Sequence, residues 1–360
     1  MDQINPAAEI NSGDLPQRVR WSRVGLYLGL TFGLSWLLDL GIYLAGGLAV
    51  PGVLLFLQLQ MLIPAFSAML LNVFVFSDSP IYRRSNHALS RWFVGYFFLL
   101  FVLYLAGALL VFLRPALANT VPSVLLLPNF LGLILLLVLR WRGGKDTFSS
   151  AGMAGGRPLV WLLGALGLLG YYLLSAALNL VFHLGAPVDL IKNVPSLAAS
   201  GMPPALLLTS LAINTILIGP FLGLIIAFGE EYGWRGFLQP ELIQLGKVKG
   251  VLLLGLIWGA WHWPLIWMGY NFPGQPVLGS LLMVLYCIFL AFVLAHAVFK
   301  SKGIWTAAYL HAFNNQTISF IIMALVSPFS AHWSFGIGLF SLIPAALVVL
   351  LLLRDPVWRE

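Results

Sequence analysis

The sequence predicts an all-α, polytopic membrane protein, a transmembrane helical bundle of about eight to ten membrane-spanning helices. Three observations predict it. Of the 360 residues, 60% are hydrophobic and only 9% charged, with a mean hydropathy of +0.95, whereas a soluble domain is about 25% charged. The apolar residues fall into ten long runs, most of them near the roughly 20 residues that a helix needs to cross the hydrocarbon core. Lysine and arginine gather at alternate run ends, as the preference of basic residues for the cytoplasmic side requires.

In chain order, the polar segment 1–23 reads as a cytoplasmic tail. It is longer and more acidic than the leader of a signal peptide, and no cleavage box follows Ala49. The apolar runs are 24–49, 53–75, 92–113, 124–139, 159–182, 205–228, 251–267, 277–299, 304–326 and 335–353. The fourth is short and holds Pro128. Pro220 interrupts the sixth, so the helix beyond it is expected to begin near Phe221 and run past Arg235 toward Gln244. The Gly- and Ser-rich stretch 141–158 reads as a cytoplasmic linker between N-terminal transmembrane helices (24–140) and a C-terminal transmembrane core (159–353), with a second short tail at 354–360.

Alternating topology puts Arg18, Arg20 and Arg23, then Arg83, Arg84 and Arg91, then Arg140, Arg142, Lys145 and Arg157 on one side. Lys247, Lys249, Lys300, Lys302, Arg354 and Arg359 join them, and only Arg114 and Lys192 fall opposite. Ten crossings of the cell membrane with both termini cytoplasmic satisfy this pattern. The net charge of +7 is spread over run ends, which suits anionic lipid headgroups as partners and not nucleic acid. Cys287 is the single cysteine and forms no internal disulfide. No nucleotide loop, CxxC pair or repeated module is present, and no motif sets an oligomeric state.

The chemistry concentrates in 206–321. Glu230, Glu231 and Arg235 stand in an apolar run, where each ionised group costs roughly 2.5–3.5 kcal/mol on insertion scales. Glu231 and Arg235 are four apart on one helical face and can pair, while Glu230 is rotated by about 100°. That division leaves Glu230 free to act as a general base. The plainer alternative is a structural ion network of all three. In the next run Trp258 and His262 share a face, and His262 lies about 20 Å along the helix from Lys249. In the ninth run His311 and Asn315 are one turn apart, with His311 roughly 13 Å in. If the glutamate helix ends near Gly246, Glu230 lies at a comparable depth of about 24 Å. A histidine among tryptophans is by itself more often a packing residue. Polar groups at overlapping depths on three helices argue for a shared site. His296 has no evident polar neighbour and reads as a core histidine, and His87, His183 and His332 fall in loops or at run ends.

The motifs Glu230-Glu231-x-x-x-Arg235, Trp258-x-x-x-His262 and His311-x-x-x-Asn315 resemble the successive motifs of the CPBP family, intramembrane proteases related to CAAX prenyl protease 2 and bacterial Abi proteins. Trp258 stands where phenylalanine is common in that family. The resemblance implies a core of about eight helices and an intramembrane glutamic endopeptidase. Glu230 with His262 would activate water, His311 and Asn315 would donate to the oxyanion, and Glu231 with Arg235 would hold the geometry. Such donors contribute about 3–4 kcal/mol each. No cofactor is expected; zinc held by Glu230, His262 and His311 is the weaker alternative, since the HExxH pairing is absent. The implied partner is a peptide or membrane-protein substrate, lipidated or not. Two other functions fit embedded Glu and His: a transporter or permease with a proton relay, and a non-catalytic membrane scaffold. Against the transporter, the charged groups read as lying all in the C-terminal half, and no inverted repeat is visible.

Overall fold

The computed structural model describes residues 18–82, 88–149, 151–190 and 201–359; the expectations for 1–17, Arg83, Arg84, His87 and Lys192 lie outside the described residues. The helices used below are α1 (Trp21–Ala45), α2 (Val53–Phe74), α3 (Ala88–Leu113), α4 (Thr120–Ser149), α5 (Pro158–Val181), α6 (Pro204–Ala212), α7 (Leu224–Glu231), α8 (Lys247–Trp261), α9 (Trp263–Trp267), α10 (Pro276–Ser301), α11 (Ile304–Phe320) and α12 (Leu342–Leu352). The only strands among the described residues are β1 (Gly185–Pro187) and β2 (Val326–Pro328), a short antiparallel ribbon. The fold is all-α and multi-pass.

Seven helices among the described residues are long and apolar enough to cross a membrane. The short run at 124–139 belongs to α4, which continues into the expected linker and changes direction at Gly144 (φ 70°). The sixth run breaks at Gly223, not at Pro220, and α7 starts at Leu224. The seventh run ends as a regular helix at Trp261: His262 keeps right-handed dihedrals (φ −80°, ψ −10°) but its N–H turns to the Gly259 oxygen at 3.2 Å, and the short α9 that follows has Pro264, which has no N–H to offer, in its first turn. α11 reaches 17 residues and the last apolar helix is also short.

By packing, the chain divides into two compact units: Met1–Gly156 with Phe228–Leu254 and Lys302–Trp305, and Arg157–Ala227 with Gly255–Ser301 and Thr306–Glu360. This differs from the division at 141–158 suggested by composition, because the segment after Phe228 packs with the N-terminal helices.

In the first unit α1 is polar on its inside. Tyr27, Thr31, Ser35 and Asp39 form its buried stripe, while Trp36, Leu37, Leu40 and Leu44 are exposed. A lipid-facing helix turns its polar face inward, where partners exist. Asp39 accepts a hydrogen bond from Gln60 Nε2 on α2 at 3.0 Å. The embedded charges are therefore not confined to the C-terminal half, and that objection to a transporter falls. α2 is the unit's buried centre. Gly229 and Gly233 press the following segment against it: a Cβ on Gly229 would lie 2.5 Å from the Met61 carbonyl oxygen, and one on Gly233 2.6 Å from the Pro64 carbonyl carbon. Lipid supplies no hydrophobic drive between helices, so small residues that permit backbone contact carry association. The segment's far end is held by Glu241, whose buried carboxylate accepts from Arg20 Nε at 2.8 Å; Arg20 also reaches Asp78 at 3.0 Å, and Arg23 pairs with Asp78.

In the second unit a matching glycine pair, Gly255 and Gly259 of α8, faces α10, where added Cβ atoms would lie 2.6 Å from Ile288 Cα and 2.5 Å from Val284 Cα. The chain then closes onto α10. Trp358 packs between Phe292 and Phe299 and stacks on His296, while Asp355 meets His296 Nε2 at 3.2 Å and Lys300 Nζ at 3.0 Å. His296 thus has two polar neighbours, correcting the expectation of none; Lys300 is one helical turn along its own face.

Gly233→Ala should lower the unfolding midpoint in detergent, an overpacking cost of about 1–3 kcal/mol. Gly95→Ala, where a Cβ meets nothing within 4 Å, should not; equal losses in a thermal-shift comparison would refute the seam. The Val357 N–H and then the Lys300 and His296 contacts hold the Asp355 carboxyl down to about 2, from an ordinary value of 3.8. A lowered carboxyl contributes stability above its unfolded value and loses it as pH falls through the folded one. Unfolding midpoints should therefore drop between about pH 4 and pH 2 more steeply for the native chain than for Asp355→Asn.

Candidate active site

In the first unit, α7 delivers Glu230 and Glu231 and passes into a wider π-helical turn, Tyr232–Leu238, which carries Arg235. Such turns interrupt the regular ladder and recur at functional sites. Glu231 Oε1 accepts from Arg235 Nη1 at 2.9 Å, with both side chains wholly buried. Glu230, 3% exposed, is not free as its rotation on the helix suggested: its Oε2 accepts from Trp234 Nε1 at 3.3 Å. Two i,i+4 pairs thus run side by side, one ionic and one neutral-to-ionic. Trp234 is fully buried and packs edge-on to Tyr27, with ring centroids 5.9 Å apart. The spacing that pairs Glu231 with Arg235 applies equally to Glu230 and Trp234, so this contact was available in the sequence.

In the second unit Trp258 is the organising residue. His262 Nδ1 lies 2.9 Å from the Trp258 carbonyl oxygen. A carbonyl only accepts, so Nδ1 carries the proton and Nε2 is the acceptor nitrogen of the neutral ring. His262 stands edge-on to Trp261 at 4.8 Å. The Trp258 indole, 2% exposed, meets His311 edge-on at 5.5 Å. One tryptophan therefore orients two histidines, one through its backbone and one through its ring. His311 is buried at 4% exposure, whereas Asn315, one turn on, is exposed. Asn315 Oδ1 accepts from Asn314 Nδ2 at 3.1 Å. The buried Asn314 and Tyr172 and the half-buried Tyr286 were not anticipated; adjacent asparagines do not reveal which of the two is buried.

Among the described residues, no group of three or more His, Cys, Asp or Glu side chains is placed to hold a metal ion.

Residues 212–317 match the family described as Type II CAAX prenyl endopeptidase Rce1-like, a match over less than a third of the chain. It includes Glu230, Glu231, Arg235, Trp258, His262, His311 and Asn315. No curated protein and no solved structure matches the chain.

Removing one partner of a buried ion pair leaves an uncompensated charge, a loss of about 3–5 kcal/mol. Arg235→Met should therefore destabilise the protein strongly, and adding Glu231→Gln should restore part of the loss. Unfolding midpoints of the single and double variants test the coupling; additive losses would refute it.

Proposed function

We propose that the protein is an intramembrane endopeptidase that hydrolyses peptide bonds with water activated by Glu230 and His262. The observation that carries the proposal is the Rce1-like match over residues 212–317, which takes in all three polar motifs of a chain built from membrane-spanning helices.

Glu230 takes a proton from water, with the Nε2 of His262 as its partner in that step. The oxygen attacks the substrate carbonyl carbon, and the oxyanion that forms receives hydrogen bonds from His311 and Asn315. Collapse breaks the carbon–nitrogen bond, and the departing amine takes up the proton that Glu230 acquired. Trp234 orients the Glu230 carboxylate, and Arg235 neutralises Glu231 so that a second negative charge does not oppose the base. General-base assistance is worth about 10²–10⁴-fold and a single oxyanion donor about 10²–10³-fold. The name of the matching family makes a prenylated protein C-terminus the substrate to try first. No resident metal is invoked; zinc through Glu230, His262 and His311 is the alternative that metal analysis decides.

A transporter is the second reading, favoured by Asp39, a buried carboxylate in α1 that the hydrolytic steps do not use. One preparation separates the candidates. Proteoliposomes holding the native chain should cleave a farnesylated peptide ending in a CAAX tetrapeptide. Glu230→Gln should lose at least about 100-fold at an unchanged unfolding midpoint. Cleavage should survive chelation in protein that contains no stoichiometric zinc. Solute uptake without cleavage indicates a transporter, neither activity indicates a scaffold, and normal cleavage by Glu230→Gln removes that residue as the base.

A further inference from the structure

Resting on the reading of Asn315 as an oxyanion donor, we infer that Tyr172, Tyr286 and Asn314 form a hydrogen-bonded ring whose task is to fix which way the Asn315 amide faces.

The ring lies wholly within the second unit and joins α5, α10 and α11. Tyr172 Oη lies 2.6 Å from Asn314 Oδ1, and the two tyrosine hydroxyls are 2.7 Å apart. Asn314 Nδ2 lies 2.9 Å from Tyr286 Oη and 3.1 Å from Asn315 Oδ1. Each tyrosine has one hydroxyl hydrogen and the Asn314 amide has two. Tyr286 Oη also lies 3.1 Å from Asn314 Oδ1, so either hydroxyl can donate to that oxygen while the other donates across the tyrosine pair. In both arrangements Asn314 donates one hydrogen to Tyr286 and the other to Asn315.

The last donation decides the function. Because Asn314 presents N–H toward Asn315, Asn315 must present its oxygen in return; the flipped amide would set donor against donor. Its own NH2 group is thereby turned away from Asn314, and among the described residues it donates to no protein acceptor. Oriented donors aimed where negative charge develops are what an oxyanion site requires. Asn314 and Tyr172 are each 1% exposed and Tyr286 is half-buried, so the bond between Asn314 and Tyr172 is shielded from water and the bonds of the ring reinforce one another. The three residues are positioning residues: they act on the substrate only through Asn315.

Tyr286→Phe is the variant of choice, because Tyr172 also lines a separate cavity of about 290 Å³ and its loss would disturb more than the ring. Removing the Tyr286 hydroxyl frees an Asn314 hydrogen and lets Tyr172 and Asn314 re-pair, so Asn315 loses its fixed orientation. With the farnesylated CAAX peptide, kcat should fall about tenfold at unchanged KM, a fraction of the 10²–10³ expected for losing the donor itself. In an Asn315→Ala background the same change should have no further effect. A kcat equal to the native value in Tyr286→Phe, or an equal loss in both backgrounds, overturns the inference while the peptidase reading stands. Full activity in Asn315→Ala overturns the inference and the oxyanion role together, and activity in Glu230→Gln separately removes the base. Asn314→Leu, compared with native at matched unfolding midpoint, is the second variant; it should also lower kcat without changing KM, and native kcat there overturns the inference too.

Discussion

An ionised carboxylate in hydrocarbon must be neutralised by a partner and shielded by close packing, and the first unit is organised around that constraint. Glu230, Glu231 and Arg235 sit within two helical turns, nearly or completely excluded from solvent. Their partners come from the same segment at i,i+4. Shielding comes from outside it, because Gly229 and Gly233 flank the glutamates and let the backbone reach α2. The two requirements share one stretch of seven residues, 229–235. A side chain at either glycine would force the charged segment away from the wall that excludes lipid and water from it.

Two of the polar groups, Arg235 and His262, stand where helices lose their regularity. Arg235 lies in the wide turn that follows α7, and His262 occupies the junction between α8 and α9. A regular helix in lipid satisfies every backbone group internally. Departures need compensation, and His262 supplies some of its own by binding the Trp258 carbonyl from which the regular ladder is departing. The same bond sets the imidazole tautomer. The Trp258 ring also meets His311, so this residue has a role in orientation as well as in filling space.

The N-terminal helices have a physical role that composition did not assign. α2 forms the surface against which the glutamate segment rests, and Arg20, just before α1, holds that segment's end through Glu241. Asp39 and the hydroxyl stripe of α1 show the inverted polarity of a helix whose outer face meets lipid. Asp39 passed unnoticed within an apolar run because one carboxylate barely changes a run's hydropathy, although it alters what the helix must pack against.

By itself the sequence determined the membrane class, through apolar runs matched to bilayer thickness, and the ionic pairing of Glu231 with Arg235, through helical spacing. It also carried the motif residues whose resemblance the family match over 212–317 supports in part. Local periodicity suffices for each of these. Only the tertiary structure decided that the glutamate segment packs with the N-terminal helices, that His296 meets Asp355, and that Asn314 is buried while Asn315 is exposed. In lipid the outward faces of helices are as apolar as packed ones, so hydrophobicity alone does not mark the packed face. Glycine contacts and buried hydrogen bonds select it, and both depend on residues brought from distant parts of the chain.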